Sequence, residues 1–304
     1  MTQFSVFRIS SPPGSNVYFV NTSPAVIIDA GHPEFANETL SILQQEVPFD
    51  QTAYILCTHS HPDHIGAATV LQKATGASLR IFTPAANDKL TPEHKKEIRL
   101  EIALPQFDKF LCDGDRIELD DDIIEVIHTP GHADDHCSFY FTKRRYLFTG
   151  DLITHEDIGF LNLNKPYRQS LDELRTSICR CAALDAHRVF PGHGEPYRIA
   201  PWKKHLRKLS LFEHNPQLLI PHTLISPFLF LLWSQENVTR SAAETYITDH
   251  AYLFDGFLEN ATPEVILQEF KKFVSLLEIT GTITSCGDRL LHRSSKNHQH
   301  FRYK

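Results

Sequence analysis

The sequence lacks a long uninterrupted hydrophobic run. Its most apolar segment, residues 218–233, contains Pro221, His222 and Pro227. A membrane-spanning helix needs about 20 consecutive apolar residues, so this segment is too interrupted to cross a bilayer. We expect a buried helix there and no membrane association. The first residues also lack the charged and apolar regions of a secretory signal, which makes the cytoplasm the expected location.

The sequence also lacks an excess of basic residues and a paired arrangement of cysteines. Its 304 residues include 30 basic and 37 acidic side chains, and the formal net charge is -7. This balance disfavours nucleic-acid binding driven by the charge of the whole chain. Residues 201–304 are nearly neutral, so a local basic patch there is still an alternative. The six cysteines contain no CxxC spacing. We therefore expect reduced thiols and no disulfide framework.

Short β-rich segments alternate with helical patterns in residues 1–200. This alternation is typical of a layered α/β domain, and we predict one catalytic domain over these residues. Ser170 and Glu173 have the spacing of a capping box, which predicts a helix beginning after Ser170. The predicted strands cover residues 16–20, 26–29, 53–58, 79–82, 123–128, 138–141 and 146–149. The predicted helices cover residues 38–46, 65–74, 93–103 and 171–184.

Strand signals stop after Pro196, and residues 201–304 are predicted to form a separate helical C-terminal region. Thr262 and Pro263 are typical of a helix start. Residues 282–284 and 290–292 then predict a small hairpin, so this end of the chain resembles a winged helix. The closing residues 294–304 are polar and are expected to fray. An apolar stripe at helical spacing follows Pro263 and consists of Ile266, Phe270, Phe273 and Leu277.

Three aromatic residues of the apolar segment have more than one interpretation. Core packing is the favoured role, because aromatic-rich segments normally fill protein interiors. The alternatives are a wall for an acyl chain and a contact in a homodimer. The three residues are Phe228, Phe230 and Trp233.

One segment concentrates four candidate metal ligands. An apolar strand pattern runs directly into His59, His61, Asp63 and His64. Residues two apart in an extended segment project to the same side, so His59 and His61 can bind one ion. Pro62 redirects the chain and can place Asp63 and His64 near a second ion. Imidazole and carboxylate ligands suit Zn2+, and Fe or Mn also accept them.

Three later segments each place a candidate ligand directly after a glycine at the end of a predicted strand. They are TPGH, which ends at His132, FTGD, which ends at Asp151, and PGHG, which contains His193. Glycine permits tight turns and close backbone approach, and loops at strand ends commonly hold catalytic side chains. Four ligands from one loop cannot fill two coordination shells, so we expect these three residues to complete a two-metal centre.

The ordered set THSHPDH, TPGH, FTGD and PGHG resembles the metallo-β-lactamase-fold hydrolase superfamily, and within it the glyoxalase II-like members. The resemblance covers roughly residues 10–200. It implies a four-layer αβ/βα sandwich with two metal ions at the edge between two sheets. It also implies the ligands of each ion. The first ion would take His59, His61 and His132, the second would take Asp63, His64 and His193, and Asp151 would bridge them.

The string GHADDH at residues 131–136 narrows the resemblance. It is similar to two subgroups with α-helical or winged C-terminal ends, one of thioesterases and one of lactamase-like endoribonucleases. Asp135 and His136 are candidates to line the pocket or to hold a ligand histidine, and a plain turn is the alternative. Asp29, at the end of a predicted strand, is a further candidate partner for a ligand.

The favoured function is metal-dependent hydrolysis of a small-molecule substrate. Two cations a few ångströms apart lower the pKa of a bound water and polarise a substrate carbonyl or phosphoryl oxygen. Asp63 is our candidate to orient the resulting hydroxide and to receive its proton. We predict a dinuclear hydrolase that cleaves a thioester or ester through a metal-bound hydroxide, in the manner of a hydroxyacylglutathione hydrolase or an acyl-CoA thioesterase.

Three alternative functions stay open at this stage, because function belongs to the pocket rather than to the scaffold. A mono-iron persulfide dioxygenase shares several of these ligands. An inactive binding module could share the fold, and the complete ligand set argues against it. A single-strand endoribonuclease would bind RNA, and it is favoured by GHADDH and by basic residues near the winged end. Those basic residues are Arg289, Arg293, Lys296 and Arg302.

Overall fold

The computed structural model describes residues 4–10, 14–83, 104–155, 157–235, 238–292 and 299–303. The helix predicted over residues 93–103 lies outside the described residues. The same holds for Arg293, Lys296 and the side chains of Phe230 and Trp233.

The described residues contain two large sheets, two small sheets and eight α-helices. The strands are β1 (Val6–Ser10), β2 (Asn16–Val20), β3 (Ala25–Ile28), β4 (Thr52–Cys57), β5 (Ser78–Phe82), β6 (Lys109–Leu111), β7 (Arg116–Glu118), β8 (Ile123–His128), β9 (Cys137–Phe141), β10 (Tyr146–Gly150), β11 (Ile153–Thr154), β12 (Asp157–Ile158), β13 (Arg188–Pro191), β14 (Val238–Thr239), β15 (Ile283–Cys286), β16 (Arg289–His292) and β17 (Gln299–Tyr303). The helices are α1 (Ala36–Glu46), α2 (Pro62–Ile65), α3 (Ala68–Thr75), α4 (Tyr167–Ala182), α5 (Trp202–His214), α6 (Leu219–Ser234), α7 (Arg240–Asp249) and α8 (Pro263–Ile279).

The first large sheet has seven strands in the order β17-β1-β2-β3-β4-β5-β6. Neighbouring strands run antiparallel from β17 to β3 and parallel from β3 to β6. Strands β2 and β3 are buried along their whole length, because both faces of the sheet are covered. One face packs on α1 and α3 through an apolar core that includes Leu43, Ile55 and Leu71.

The second large sheet has five strands in the order β13-β10-β9-β8-β7. It faces the first sheet across an aromatic core, in which the ring of Phe148 lies 5.3 Å from that of Tyr18 and stacks at 4.6 Å on that of Phe190. Helix α4 covers its outer face with buried Leu174 and Ile178. The layers therefore run helix, sheet, sheet, helix, and the predicted four-layer αβ/βα sandwich is confirmed.

The start of α4 differs from the sequence prediction. The helix begins at Tyr167 with Pro166 at the N-cap position, so Ser170 lies inside the helix. The Ser170 hydroxyl donates to the carbonyl oxygen of Asn162 at 2.9 Å instead of capping a helix terminus. The predicted capping box is therefore wrong, because a contact with the loop before the helix takes up the hydroxyl.

The C-terminal helices α5 to α8 are followed by the predicted hairpin. Strands β15 and β16 pair antiparallel, and β14 joins them in a sheet of order β14-β16-β15. Helix α8 begins after Thr262, whose Oγ1 accepts a hydrogen bond from the N–H of Val265 at 3.4 Å. The four predicted stripe residues of α8 are buried, and the predicted helices and hairpin are present, whereas the winged-helix resemblance stays a prediction. Among the described residues, no helix is both long and apolar enough to cross a membrane.

The last described strand contradicts the expected frayed end. Strand β17 pairs antiparallel with β1, with Arg8 opposite Phe301 and Val6 opposite Tyr303. The polar composition of this segment hid the pairing, because an edge strand need bury only one face. Residues 299–303 thus belong to the first large sheet.

One continuous apolar core joins the outer face of the second sheet to the C-terminal helices. It contains Leu147 of β10, Leu174 of α4 and Leu209 of α5, and it extends to Phe228 of α6 and Phe270 of α8. Phe228 is fully buried, so its core role is confirmed over the acyl-wall and homodimer alternatives. The division into residues 1–200 and 201–304 stays a prediction.

Candidate metal centre

The seven predicted ligands meet at one edge of the sandwich, where strands of both sheets end. His59 follows β4, and the short helix α2 carries Asp63 and His64. His132 follows β8. The remaining three are His61, which lies just before α2, Asp151, which comes directly after β10, and His193, which lies in the loop after β13. Two sheets packed face to face bring these strand ends together, which is why residues more than a hundred positions apart share one site.

Three histidines form the first cluster. Nε2 of His59 lies 2.8 Å from Nδ1 of His61, and Nε2 of His132 lies 2.8 Å from the same Nδ1. The Nε2 atoms of His59 and His132 are 3.2 Å apart. The three ring nitrogens therefore converge on one point, as the resemblance implied for the first ion.

The second cluster consists of Asp63, His64 and His193. Oδ2 of Asp63 lies 3.2 Å from Nε2 of His193 and 3.7 Å from Nε2 of His64. Asp151 stands between the clusters, because its Oδ1 is 3.4 Å from His64 Nε2 and its Oδ2 is 3.3 Å from His193 Nε2 and 3.7 Å from His132 Nε2. This is the position expected of a bridging carboxylate.

Hydrogen bonds to the opposite ring nitrogens orient three of the histidines. Asp29 Oδ2 accepts from His64 Nδ1 at 2.8 Å. The Thr58 hydroxyl lies 3.0 Å from both carboxylate oxygens of Asp29 and therefore donates to that group, which leaves its oxygen to accept from His59 Nδ1 at 3.0 Å. His132 Nδ1 donates to the carbonyl oxygen of Phe160 at 2.7 Å. These bonds direct each Nε2 into the clusters, as the outer partners of metal-binding histidines do.

His136 holds the bridging position from behind. Its Nε2 accepts a hydrogen bond from the backbone N–H of Asp151 at 3.0 Å, so its Nδ1 carries the proton and donates to Thr129 Oγ1 at 2.8 Å. Burial lowers the pKa of His136 well below its usual value, which keeps the ring neutral and able to accept. Asp135 is buried in the same loop. His136 and Asp29 thus lie behind the candidate ligands, whereas a role for Asp135 stays a prediction.

The electrostatics of the site fit a bound cation. Burial lowers the pKa of His59 well below its usual value, so this ring is neutral and suited to ligation. At His193, burial opposes protonation, but the carboxylates of Asp151 and Asp63 prevail and raise the pKa to about 10. Within the described part of the chain, His64 Nε2 and Asp151 Oδ1 are buried and make no hydrogen bond of normal geometry. A divalent ion would satisfy these atoms and replace the protons that now balance the carboxylates.

Glycines bring the backbone within reach of the site. A Cβ on Gly192 would lie 2.1 Å from Asp151 Oδ1 and 2.8 Å from His64 Cε1. Gly150 has φ +48, and a Cβ there would lie 2.7 Å from His136 Nε2. The backbone at both glycines therefore lies close to side chains of the site, as the sequence predicted.

Sequence reasoning missed several residues that support the site. Asn16 Nδ2 donates to the carbonyl oxygens of Pro191 at 3.0 Å and of Gly194 at 2.8 Å, and the Tyr18 hydroxyl donates to that of Pro191 at 2.6 Å. These bonds hold the loop that carries His193. The one available signal was Asn16 itself, a polar residue in an otherwise apolar strand.

His222 of α6 is a second missed residue. Its Nε2 lies 3.3 Å from the carbonyl oxygen of Gly159, and its ring centroid is 5.3 Å from that of Phe160. The Phe160 carbonyl accepts a hydrogen bond from His132. Helix α6 therefore contacts the residue that orients this candidate ligand. No spacing pattern in the sequence marks this contact between distant segments.

Two known relatives each match about three fifths of the chain. The Beta-lactamase-like protein 2 homolog of Caenorhabditis elegans is 28% identical over 184 residues, which cover 60% of this chain and 56% of that protein. The Hydroxyacylglutathione hydrolase GloC of Haemophilus influenzae is 29% identical over 188 residues, which cover 59% of this chain and 84% of that protein. The chain thus spans little more than half the length of the first of these relatives.

Solved structures show the same fold. A metallo-beta-lactamase family protein from Thermus thermophilus is similar with a TM-score of 0.56 and 21% identity, over 95% of this chain and 98% of that one. The BLEG-1 B3 metallo-beta-lactamase is similar with a TM-score of 0.51 and 26% identity, over 63% of this chain and 93% of that one. The sequence model of the Metallo-beta-lactamase superfamily matches residues 11–193, which hold both clusters. The chain therefore belongs to the metallo-beta-lactamase superfamily.

Proposed function

We propose that this protein is a dinuclear metal-dependent hydrolase that cleaves a thioester or ester of a small molecule. The observation that carries the proposal is the convergence of seven imidazole and carboxylate side chains on two adjacent clusters. In the proposed assignment the two clusters hold one ion each. Members of this superfamily bind divalent metal ions, and we propose Zn2+ as the ion, with Fe or Mn as alternatives. The ligands would be His59, His61 and His132 for the first ion, Asp63, His64 and His193 for the second, and Asp151 for both.

The residues of the chain supply binding, orientation and proton transfer. When bound, two divalent ions lower the pKa of a water molecule and polarise the substrate carbonyl. Asp63 is the proposed general base, because its side chain is 26% exposed whereas that of Asp151 is buried. Asp29, Thr58 and the Phe160 carbonyl hold the ligand rings in place before substrate arrives.

A thioester is the favoured substrate class. A thiolate leaves without strong help from a general acid. This suits the site, because its carboxylates and imidazoles are all assigned to metal binding in the proposal. The similarity to Hydroxyacylglutathione hydrolase GloC, at 29% identity, supports this choice.

The test combines metal content with a substrate panel. We expect about two metal ions per chain in protein purified without added metal, and hydrolysis of at least one hydroxyacylglutathione or acyl-CoA thioester that a chelator abolishes and Zn2+ restores. Asp63→Asn should lower kcat by about 100-fold or more, since a general base contributes that factor. Asp172→Asn, on the exposed face of α4, should leave kcat unchanged.

Inactivity of the metal-replete protein on every thioester and ester of the panel would refute the proposed substrate class. One iron per chain, with oxygen uptake in the presence of glutathione persulfide, would indicate the dioxygenase instead. Metal binding without any turnover would indicate the binding module.

The endoribonuclease alternative requires a free basic surface at the winged end. Of the basic residues that favour this alternative, Arg289 is exposed and Arg302 donates to the carbonyl oxygen of Glu46. Two other described basic side chains in this region are already paired, Arg240 with Glu278 and Lys271 with Glu244 at 3.1 Å. Together with the net charge of -7, these ion pairs favour the thioester substrate. Salt-sensitive RNA binding, with RNA cleavage lost in Asp63→Asn, would reverse this preference.

A further inference from the structure

Arg8 of β1 is a buried cation that reaches from the first sheet to the loop carrying His193. The residue is 1% exposed. Its Nη1 donates to the carbonyl oxygen of Gly194 at 2.6 Å, and its Nη2 forms an ion pair with the carboxylate of Glu195. A buried charge is costly unless it is paired, so the position of this loop and the position of the guanidinium depend on each other.

Strand β17 also contacts Arg8 through two aromatic rings. The guanidinium lies 4.6 Å from the ring centroid of Phe301 and 5.8 Å from that of Tyr303, within the range of cation–π contacts. The Tyr303 hydroxyl also donates to Glu195 Oε2 at 3.3 Å. Strand β17 thus contacts both Arg8 and Glu195, the two members of the ion pair.

The loop itself has little freedom once these contacts are made. Asn16 donates to the same Gly194 carbonyl that Arg8 reaches, and the backbone N–H of Asn16 donates to the carbonyl of Gly192 at 2.7 Å. His193 therefore lies between two residues whose carbonyl oxygens are bonded to the first sheet. Its side chain is 30% exposed, and these backbone contacts hold the main chain from which its Nε2 reaches Asp63 and Asp151.

We propose that Arg8, held by β17, is a positioning residue for His193 and thereby for the second metal ion. The proposal rests on the proposed dinuclear function. It assigns a role in the metal centre to the last residues of the chain, which the sequence alone places in a separate C-terminal region. The first cluster is oriented instead by the Thr58 hydroxyl and the Phe160 carbonyl, so the first ion should be nearly independent of Arg8.

The test compares Arg8→Met with Arg302→Met. Both substitutions replace an arginine on the paired strands β1 and β17, but Arg302 faces the opposite side of the sheet, over Phe7. Two readouts are taken on the full chain. One is the affinity for each of two Zn2+ ions, by competition with a chromophoric chelator. The other is the hydrogen–deuterium exchange rate of the peptide covering residues 190–195 in metal-free protein, where Asn16 and Arg8 hold the loop.

We expect Arg8→Met to weaken the second Zn2+ ion by about 10-fold or more, the lower end of the effect of removing an outer partner, and to leave the first within about threefold. Exchange of residues 190–195 should be faster in Arg8→Met and unchanged in Arg302→Met. If Arg8→Met does not fold, Glu195→Gln replaces it, because Glu195 is exposed and its loss removes the charge partner of Arg8.

Unchanged exchange and unchanged affinity in these variants would overturn the proposal, as would equal effects in Arg302→Met. Wild-type protein that takes up fewer than two ions would refute the dinuclear function, and the exchange rates would then decide the role of Arg8 by themselves.

Discussion

Oδ2 of Asp29 lies 2.8 Å from Nδ1 of His64, and both side chains are buried. The bond fixes the ring so that Nε2 points to Asp63 and Asp151. Asp29 has φ 58, in the left-handed region that asparagine tolerates. Asn in place of Asp29 therefore removes the charge without straining the backbone.

We expect Asp29→Asn to weaken metal binding at the second cluster by about 10-fold to 100-fold. Competition with a chromophoric chelator measures this, with Asp172→Asn as the control at an exposed aspartate. Metal affinity equal to that of the wild type would mean that His64 is oriented by packing and not by Asp29.

The Gly192→Ala substitution tests the close approach of the backbone to the bridging carboxylate. The added Cβ would lie 2.1 Å from Asp151 Oδ1, far inside van der Waals contact, so Asp151 must move. We expect fewer than two ions per chain by elemental analysis. Gly114→Ala is the control, because its Cβ would meet open space while its φ of +81 still imposes strain. A loss of metal in both variants would assign the effect to general destabilisation.

The clustering of the candidate ligands was predictable from sequence because they stand in short motifs that follow strand ends. His59 and Asp151 come directly after buried strands, and a turn of one or two residues fixes where such a side chain points. By contrast, Arg8 contacts Glu195, which is 187 positions away, and His222 contacts Gly159, which is 63 positions away. No local pattern encodes them, because they depend on how the sheets and helices pack.

The same reason explains the errors. Ser170 has the right spacing for a helix cap, but its hydroxyl bonds to Asn162 after the chain folds back. The segment at Phe301 is polar enough to fray, but Arg8 provides a partner for its aromatic face. Tertiary contacts overrode local propensity in both cases.

The His136→Leu substitution tests the support behind Asp151. The imidazole accepts the Asp151 N–H, and leucine would leave that buried donor without a partner. We expect the free energy of unfolding to fall by about 1–3 kcal/mol in urea denaturation of metal-free protein. His187→Leu, at an exposed histidine, should change it by less than about 0.5 kcal/mol. A neutral result at His136 would show that water replaces the ring at no cost.

Two leucine substitutions test whether residues 201–304 fold independently. Leu174 is fully buried in the core that joins α4 to the C-terminal helices, whereas Leu276 of α8 is 54% exposed. Leu174→Ala should lower the free energy of unfolding by about 2–5 kcal/mol, the range for buried leucines, and Leu276→Ala by less than about 0.5 kcal/mol.

The number of transitions in the urea unfolding curve is a second test of whether residues 201–304 fold independently. Because one core spans both regions, urea should unfold the chain in a single transition that Leu174→Ala shifts as a whole. The circular dichroism signal and the fluorescence of the two tryptophans should then change together, since Trp202 and Trp233 both lie after residue 200. Two transitions, with only one sensitive to Leu174→Ala, would mean that the region after residue 200 is a separate folding unit that merely rests on α4.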